Sequence, residues 1–258
     1  MEQKAELELV LEGVSCSVVD NYGLLNIKCN VFKHLTDLQH DELIFSWIDK
    51  IERDKNMEGI LFVNEPGCFG NNVYSQFLSS ISGEEIDEQH PSKITRFQNT
   101  QIRAIEVNML MTFIKKFVNF SKIIVSGLRG EIVTPFIGLS LVTDFRLISE
   151  STFFNLSHVD YGLHPSGGLP FLLPKYIGQG KAEELLLRGG KISADESLKL
   201  GLTSEILDDA NFMDECKKRA STLFTTDRNV VKSTKDLLFN YKSELYHYFD
   251  RESNYLYA

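Results

Sequence analysis

The order of apolar runs in this chain predicts an α/β protein built on a mostly parallel sheet. Gly59-Ile60-Leu61-Phe62-Val63, Ile123-Ile124-Val125 and Phe145-Arg146-Leu147-Ile148 are short, mostly apolar runs of the kind that a parallel sheet buries on both faces. Between them lie longer stretches in which apolar residues recur at steps of three and four, the spacing of an amphipathic helix. The 258 residues are 43% hydrophobic and 24% charged. A chain of this size buries roughly 70–75% of its extended surface, so it closes a core without disulfides or a structural metal.

The elements follow in order. Leu24-Leu25-Asn26-Ile27 reads as a strand, and Thr36 opens a helix with Gln39 completing a capping box. The buried face of that helix is expected at Leu43, Ile44, Trp47, Ile48 and Ile51. Strand 59–63 comes next, then a turn-rich loop from Glu65 to Asn72. Residues 79–93 form an acidic, polar stretch ending His90-Pro91-Ser92. A long helical pattern resumes near Phe97, with Ile102, Ile105, Met109, Phe113 and Phe117 on one side. After strand 123–125 come an irregular turn at Arg129-Gly130-Glu131, an apolar helix from about Pro135 and the strand at 145–148. The last hundred residues read as helical. Ser193 and Glu196 form a capping box, Gly201 takes the left-handed position after a helix, and an aromatic tail carries Tyr241, Tyr246, Tyr248, Phe249, Tyr255 and Tyr257.

Net charge −9 disfavours a general nucleic-acid binder, and an anionic ligand would need a local basic cluster or a helix N-terminus. Cys16, Cys29, Cys68 and Cys216 make no Cys-x-x-Cys pair, so reduced structural thiols are expected and no metal site. The acidic start Met1-Glu2-Gln3-Lys4-Ala5-Glu6 is unlike a signal peptide, and no apolar run is long enough for a membrane span. A cytoplasmic protein is expected.

Several landmarks stand in a linked series: Arg129-Gly130, Asp144, Phe154, Gly162-Leu163-His164-Pro165-Ser166-Gly167-Gly168, Tyr176-Ile177-Gly178, Lys181 to Gly189, Ile192 to Leu198, and Gly201-Leu202. In this order and spacing, residues 121–207 resemble the crotonase (enoyl-CoA hydratase/isomerase) superfamily. The resemblance implies a crotonase-like ββα superhelix core over residues 1–200 and a C-terminal helical trimerisation region over 201–258, assembling as a trimer or a dimer of trimers. It implies an acyl-CoA or acyl-carrier thioester as substrate, coenzyme A entering as part of that substrate, and no tightly bound cofactor. It also implies enolate stabilisation between two backbone N–H donors, an oxyanion hole.

Carried onto this chain, the first donor falls on Val73 when Phe69 takes the family's phenylalanine. Asn72 then stands at the glycine position, which a left-handed Asn tolerates. A second register places Gly70 on that glycine and Asn71 at the donor. The second donor position falls on Pro135, which has no N–H, and the loss of one such donor costs ~3–4 kcal/mol of transition-state stabilisation. The Thr134 hydroxyl is the nearest replacement. The family's two catalytic glutamates fall on Gly138 and His158, and a histidine is a competent acid/base. Asp160 would orient that histidine if strand-like alternation sends both side chains one way. His164 and Ser166 read as loop surface or as pocket residues, and Lys232 and Lys235 are candidates for a coenzyme phosphate. These assignments predict a divergent enzyme acting on an acyl thioester or β-dicarbonyl, with C–C hydrolysis or decarboxylation favoured over two-carboxylate hydration. The alternatives are a non-catalytic oligomer subunit and a conventional hydratase/isomerase.

Overall fold

The computed structural model describes residues 7–29, 31–86 and 93–255. The stretch 87–92, with His90-Pro91-Ser92, and Tyr257 lie outside the described residues.

Strands β1 (Leu9–Leu11), β2 (Val14–Val19) and β3 (Tyr22–Ile27) form an antiparallel meander. From β3 the sheet continues in parallel through β4 (Gly59–Asn64), β5 (Ile123–Leu128), β7 (Phe145–Ser149) and β10 (Glu205–Leu207). A second sheet, in the order β6-β8-β9, joins β6 (Glu131–Val133), β8 (Phe153–Asn155) and β9 (Lys191–Ser193). Every residue of β4 and β5 is buried, because both faces are covered. Along β4, Ile60 and Phe62 point into the larger core, while Leu61 and Val63 meet Phe212, Cys216 and Phe224 on the other side.

The first helices are α1 (Val31–His34) and α2 (Leu38–Arg53). The cap of α2 is Asp37, not Thr36: the Asp37 carboxylate accepts from the amides of Gln39 and His40, whereas the Thr36 hydroxyl donates back to the Phe32 and Lys33 carbonyls. Its buried face takes Asp41 with Ile44, Trp47, Ile48 and Ile51, and Leu43 stays 47% exposed. The loop expected up to Asn72 ends earlier, because α3 spans Asn71–Ser82. Helix α4 (Thr100–Asn119) turns a different face inward from the one its apolar periodicity suggests: Arg103, Glu106, Val107, Leu110, Phe113, Ile114 and Phe117 are buried, while Ile102, Ile105 and Met109 are only half-buried. An internal ion pair makes the polar members of that face tolerable.

Helix α5 (Thr134–Leu141) is buried throughout. Then follow α6 (Leu169–Ile177), α7 (Gln179–Arg188), α8 (Ala194–Lys199), α9 (Phe212–Leu223), α10 (Arg228–Leu238) and α11 (Lys242–Ser253). Ser193 caps α8 by accepting from the Glu196 amide, and Gly201 follows that helix at φ +72°. Beyond residue 200, β10 completes the main sheet beside β7. The aromatic tail covers its own chain. Leu245 and Phe249 are buried, α11 packs on α4, and Tyr241 and Tyr248 both meet the Phe171 ring. Among the described residues no helix is long and apolar enough to cross a membrane.

Candidate active site

Two loops at the C-terminal ends of β4 and β5 are stitched together by side chains buried between them. Asn64 ends β4, and its amide nitrogen donates to the Glu65 and Arg129 carbonyls while its oxygen accepts from the Arg129 amide. The Phe69 carbonyl accepts from the Val133 amide at 2.9 Å, and the Phe69 and Phe136 rings stack at 4.3 Å. Glu131 brackets the pair, accepting from the Asn71 amide at 2.8 Å and from the Asn155 side chain at 2.6 Å.

This bracket separates the two registers of the first donor. The Asn71 N–H is already bound to a carboxylate, and the Asn71 side chain accepts from the Tyr161 hydroxyl at 2.9 Å. The first i→i−4 bond of α3 runs from Tyr74 to Gly70, so the amides of Asn72 and Val73 precede it. Asn72 is exposed, takes a helical rather than a left-handed conformation, and bonds Gln76 through its side chain. The left-handed Asn72 expected above is thus corrected: the helix starts one residue before it.

Helix α5 begins at Thr134, with Val133 as its cap residue and Pro135 in its first turn. Thr134 and His158 are brought together: Thr134 Oγ1 lies 3.0 Å from His158 Nδ1, and His158 Nε2 lies 2.9 Å from the Leu186 carbonyl. A carbonyl only accepts, so the neutral ring carries its proton on Nε2 and its Nδ1 accepts from the Thr134 hydroxyl. Both side chains are buried, and burial lowers the proton affinity of His158 against the opposing effects of the Leu186 carbonyl and Asp160. Residues 157–159 form a 3-10 turn rather than a strand, which leaves Asp160 exposed and turned away from the expected alternation with His158.

Gly138 is sealed. A Cβ there would stand 1.9 Å from the Gly167 carbonyl oxygen, so no carboxylate side chain fits at this position on the present backbone. The segment that seals it is held from behind by Glu252 of α11, whose carboxylate accepts from the Gly167 and Gly168 amides at 2.9 and 3.1 Å. Burial pushes the Glu252 carboxyl up to about 7. Ser166, expected on a loop surface, is buried by the same packing, and His164 is half-buried with its proton affinity held down to about 4 by burial and by the Arg103 charge. Lys235 is also not free. Its ammonium is buried against Asp144 at 2.7 Å and the Lys122 carbonyl, while Lys232 remains exposed.

Sequence reasoning missed the neighbouring buried cluster. Arg103 donates to Glu106 at 2.6 Å, Tyr74 stands against them, and the Tyr74 and Tyr161 rings meet edge to face. Burial pushes both tyrosines up to about 12 and raises the Glu106 carboxyl against the pull of Arg103. The available signal was an Arg and a Glu three residues apart, 103 and 106, which reads equally well as a solvated pair on a helix face.

The family profile described as Enoyl-CoA hydratase/isomerase matches residues 82–257. The chain belongs to this family. The fold agrees over nearly its whole length: a solved enoyl-CoA hydratase of Bacillus halodurans has a TM-score of 0.75 at 17% identity, covering 95% of this chain and 93% of that one. An enoyl-CoA hydratase/isomerase of Pseudoalteromonas atlantica gives 0.71 at 21% identity, covering 95% and 90%. Among curated proteins, a probable enoyl-CoA hydratase of Mycobacterium tuberculosis is 30% identical over 118 residues, 45% of this chain and 41% of that protein. The mouse peroxisomal enoyl-CoA delta isomerase 3 is 27% identical over 144 residues, 55% of this chain and 45% of that protein. The match thus spans less than half the length of these curated relatives. The profile match begins after the loop between β4 and α3.

Proposed function

We propose that the chain binds an acyl thioester or a β-dicarbonyl compound and stabilises its enolate at the start of α5, with His158 as acid/base and the Val73 amide as one oxyanion donor. The hydrogen bond between Thr134 and His158 carries this reading. When the α-carbon of the substrate loses its proton, the proton passes to Thr134 Oγ1 while the proton of that hydroxyl moves to His158 Nδ1. The electron pair left on carbon delocalises to the carbonyl oxygen. The imidazolium then donates to Leu186 and Thr134, which frees the Thr134 hydroxyl to donate to the oxyanion in place of the N–H that Pro135 lacks. Burial disfavours the charged ring, so the proton is readily returned.

The test is α-proton exchange in deuterium oxide on acyl-CoA and β-diketone panels. Loss of a positioned base should cost about 10²–10⁴-fold, so His158→Gln and Thr134→Val should both fall by that factor. Equal rates in wild type and variants would remove both residues from the mechanism.

A second reading, a non-catalytic ligand-binding subunit, is favoured by Pro135, the sealed Gly138 and the burial of Thr134 and His158. Binding of an acyl-CoA without exchange in the wild type would establish it. Turnover of crotonyl-CoA at rates usual for the family would instead support a conventional hydratase. Self-association as a trimer or dimer of trimers is supported by exposed apolar side chains on α10, with Val230 55%, Leu237 77% and Leu238 66% exposed.

A further inference from the structure

A cavity of about 340 Å³ opens between the start of α4 and the loop 162–164, at the lower end of the range for small-molecule pockets, about 300–1,000 Å³. Its polar wall is made by Arg96, Arg103 and His164 with Thr95, Thr100 and Tyr255, and among the described residues no Asp or Glu lines it. A smaller cavity of about 170 Å³ shares His164 and Tyr255 with it and adds Arg251; its one carboxylate among the described residues, Glu252, is bound to the glycine amides of residues 167 and 168. In a chain of net charge −9, the exposed Arg96 and Arg251 give these two cavities basic rims. The apolar part of the larger wall is supplied by Ile94, Phe97 and Leu163.

The wall also holds polar atoms with unused hydrogen-bonding capacity. Arg103 is 1% exposed, and its Nε has no partner although its guanidinium donates to Glu106 elsewhere. His164 Nε2 is likewise buried and without a partner. An unpaired buried donor is destabilising, more so when charged, and a ligand that accepts a hydrogen bond there recovers the loss. A carboxylate accepts from the free Nε–H edge of Arg103 and is attracted by the exposed Arg96.

The geometry points to a binding site for an amphiphilic carboxylate, its charged group at Arg103 and His164 and its apolar body against Phe97 and Leu163. Its lining includes none of Thr134, His158 and Val73, the residues of the enolate chemistry proposed above.

The experiment is calorimetric titration of the full chain with phenylacetate and octanoate, against phenylacetamide, octanol and inorganic phosphate. The carboxylates should bind at least ten-fold more tightly than their uncharged counterparts and more tightly than phosphate, which lacks an apolar body. The exposed Arg96→Gln should weaken binding about three-fold, and added salt should do likewise. The double variant Arg103→Met/Glu106→Leu removes the buried pair together, which spares the fold an unpaired charge, and should abolish binding at an unchanged circular dichroism spectrum. His164→Phe, which keeps an aromatic ring, gives an independent reading should the double variant not fold, with an expected loss of about ten-fold. No binding by the wild type, equal binding of carboxylate and amide, or carboxylate binding indifferent to both Arg96→Gln and His164→Phe would overturn the proposal. None of these results bears on α-proton exchange, so the two readings fail separately.

Discussion

Asp41 offers the sharpest test of how this core is balanced. It lies on the buried face of α2, is 0% exposed, and neither carboxylate oxygen has a hydrogen-bond partner among the described residues. It faces a cavity of about 40 Å³ whose walls include Ile44, Phe69, Phe113 and Phe136. Burial, followed by the Asp37 charge, pushes its carboxyl from 3.8 up to about 7. His34 lines the same cavity, and burial, followed by the charge of His40, lowers its proton affinity. Between the unfolded and folded values the native state holds more protons than the unfolded one, so stability is fully present below the unfolded pKa and is lost as pH rises through the folded one. At 1.36 kcal/mol per pH unit, a shift of that size amounts to about 4 kcal/mol. Asp41→Leu keeps the branched shape and removes both oxygens. Its stability relative to wild type should therefore grow by about 4 kcal/mol between pH 4 and pH 8, or roughly 8–16 °C in Tm for a chain of this size. Thermal melts of both proteins at half-unit pH steps read this directly. Glu252, His158 and His164 titrate in both proteins and cancel in the difference. Parallel pH profiles, or a variant less stable than wild type at pH 8, would refute the reasoning.

Other outcomes follow from the same packing. Gly138→Ala should lower Tm by about 2–12 °C, since overpacking costs typically about 1–3 kcal/mol and the Gly167 carbonyl is backbone that cannot rotate away; an unchanged melt would contradict the seal. Glu252→Ala strands two buried glycine amides, so urea titration should show a loss of about 2–5 kcal/mol near pH 5. The raised Glu252 carboxyl makes that loss smaller as pH rises through about 7, because the ionised form is the one that burial penalises. Lys235→Met leaves the half-buried Asp144 without its cation and should lower stability by about 2–4 kcal/mol in the same assay. Leu238→Glu should lower the sedimentation coefficient if α10 forms the subunit interface, and leave it unchanged if it does not.

Much of the fold was legible because it rests on local pattern. The strands at 59–63 and 123–125 announce themselves as unbroken apolar runs, and they are buried on both faces. Ser193 and Gly201 act within one turn of chain, so their roles follow from residue type and spacing. The site was less legible. Periodicity could not tell which face of α4 turns inward, because Arg103 and Glu106 are polar and become buried only by neutralising one another. Nor could it show that the side chain of Glu131 occupies the Asn71 amide.

The sequence by itself determined the parallel-sheet architecture, the proline in the first turn of α5 and the absence of a carboxylate at positions 138 and 158, since each is a matter of which residue stands where. Only the tertiary structure decided what those positions can do. Gly138 is closed by a carbonyl 29 residues further along the chain, His158 has both ring nitrogens bonded by groups from α5 and α7, and the aromatic tail lies on its own core. Each of these depends on contacts between segments far apart in the chain, where long-range packing, rather than local propensity, selects the partner.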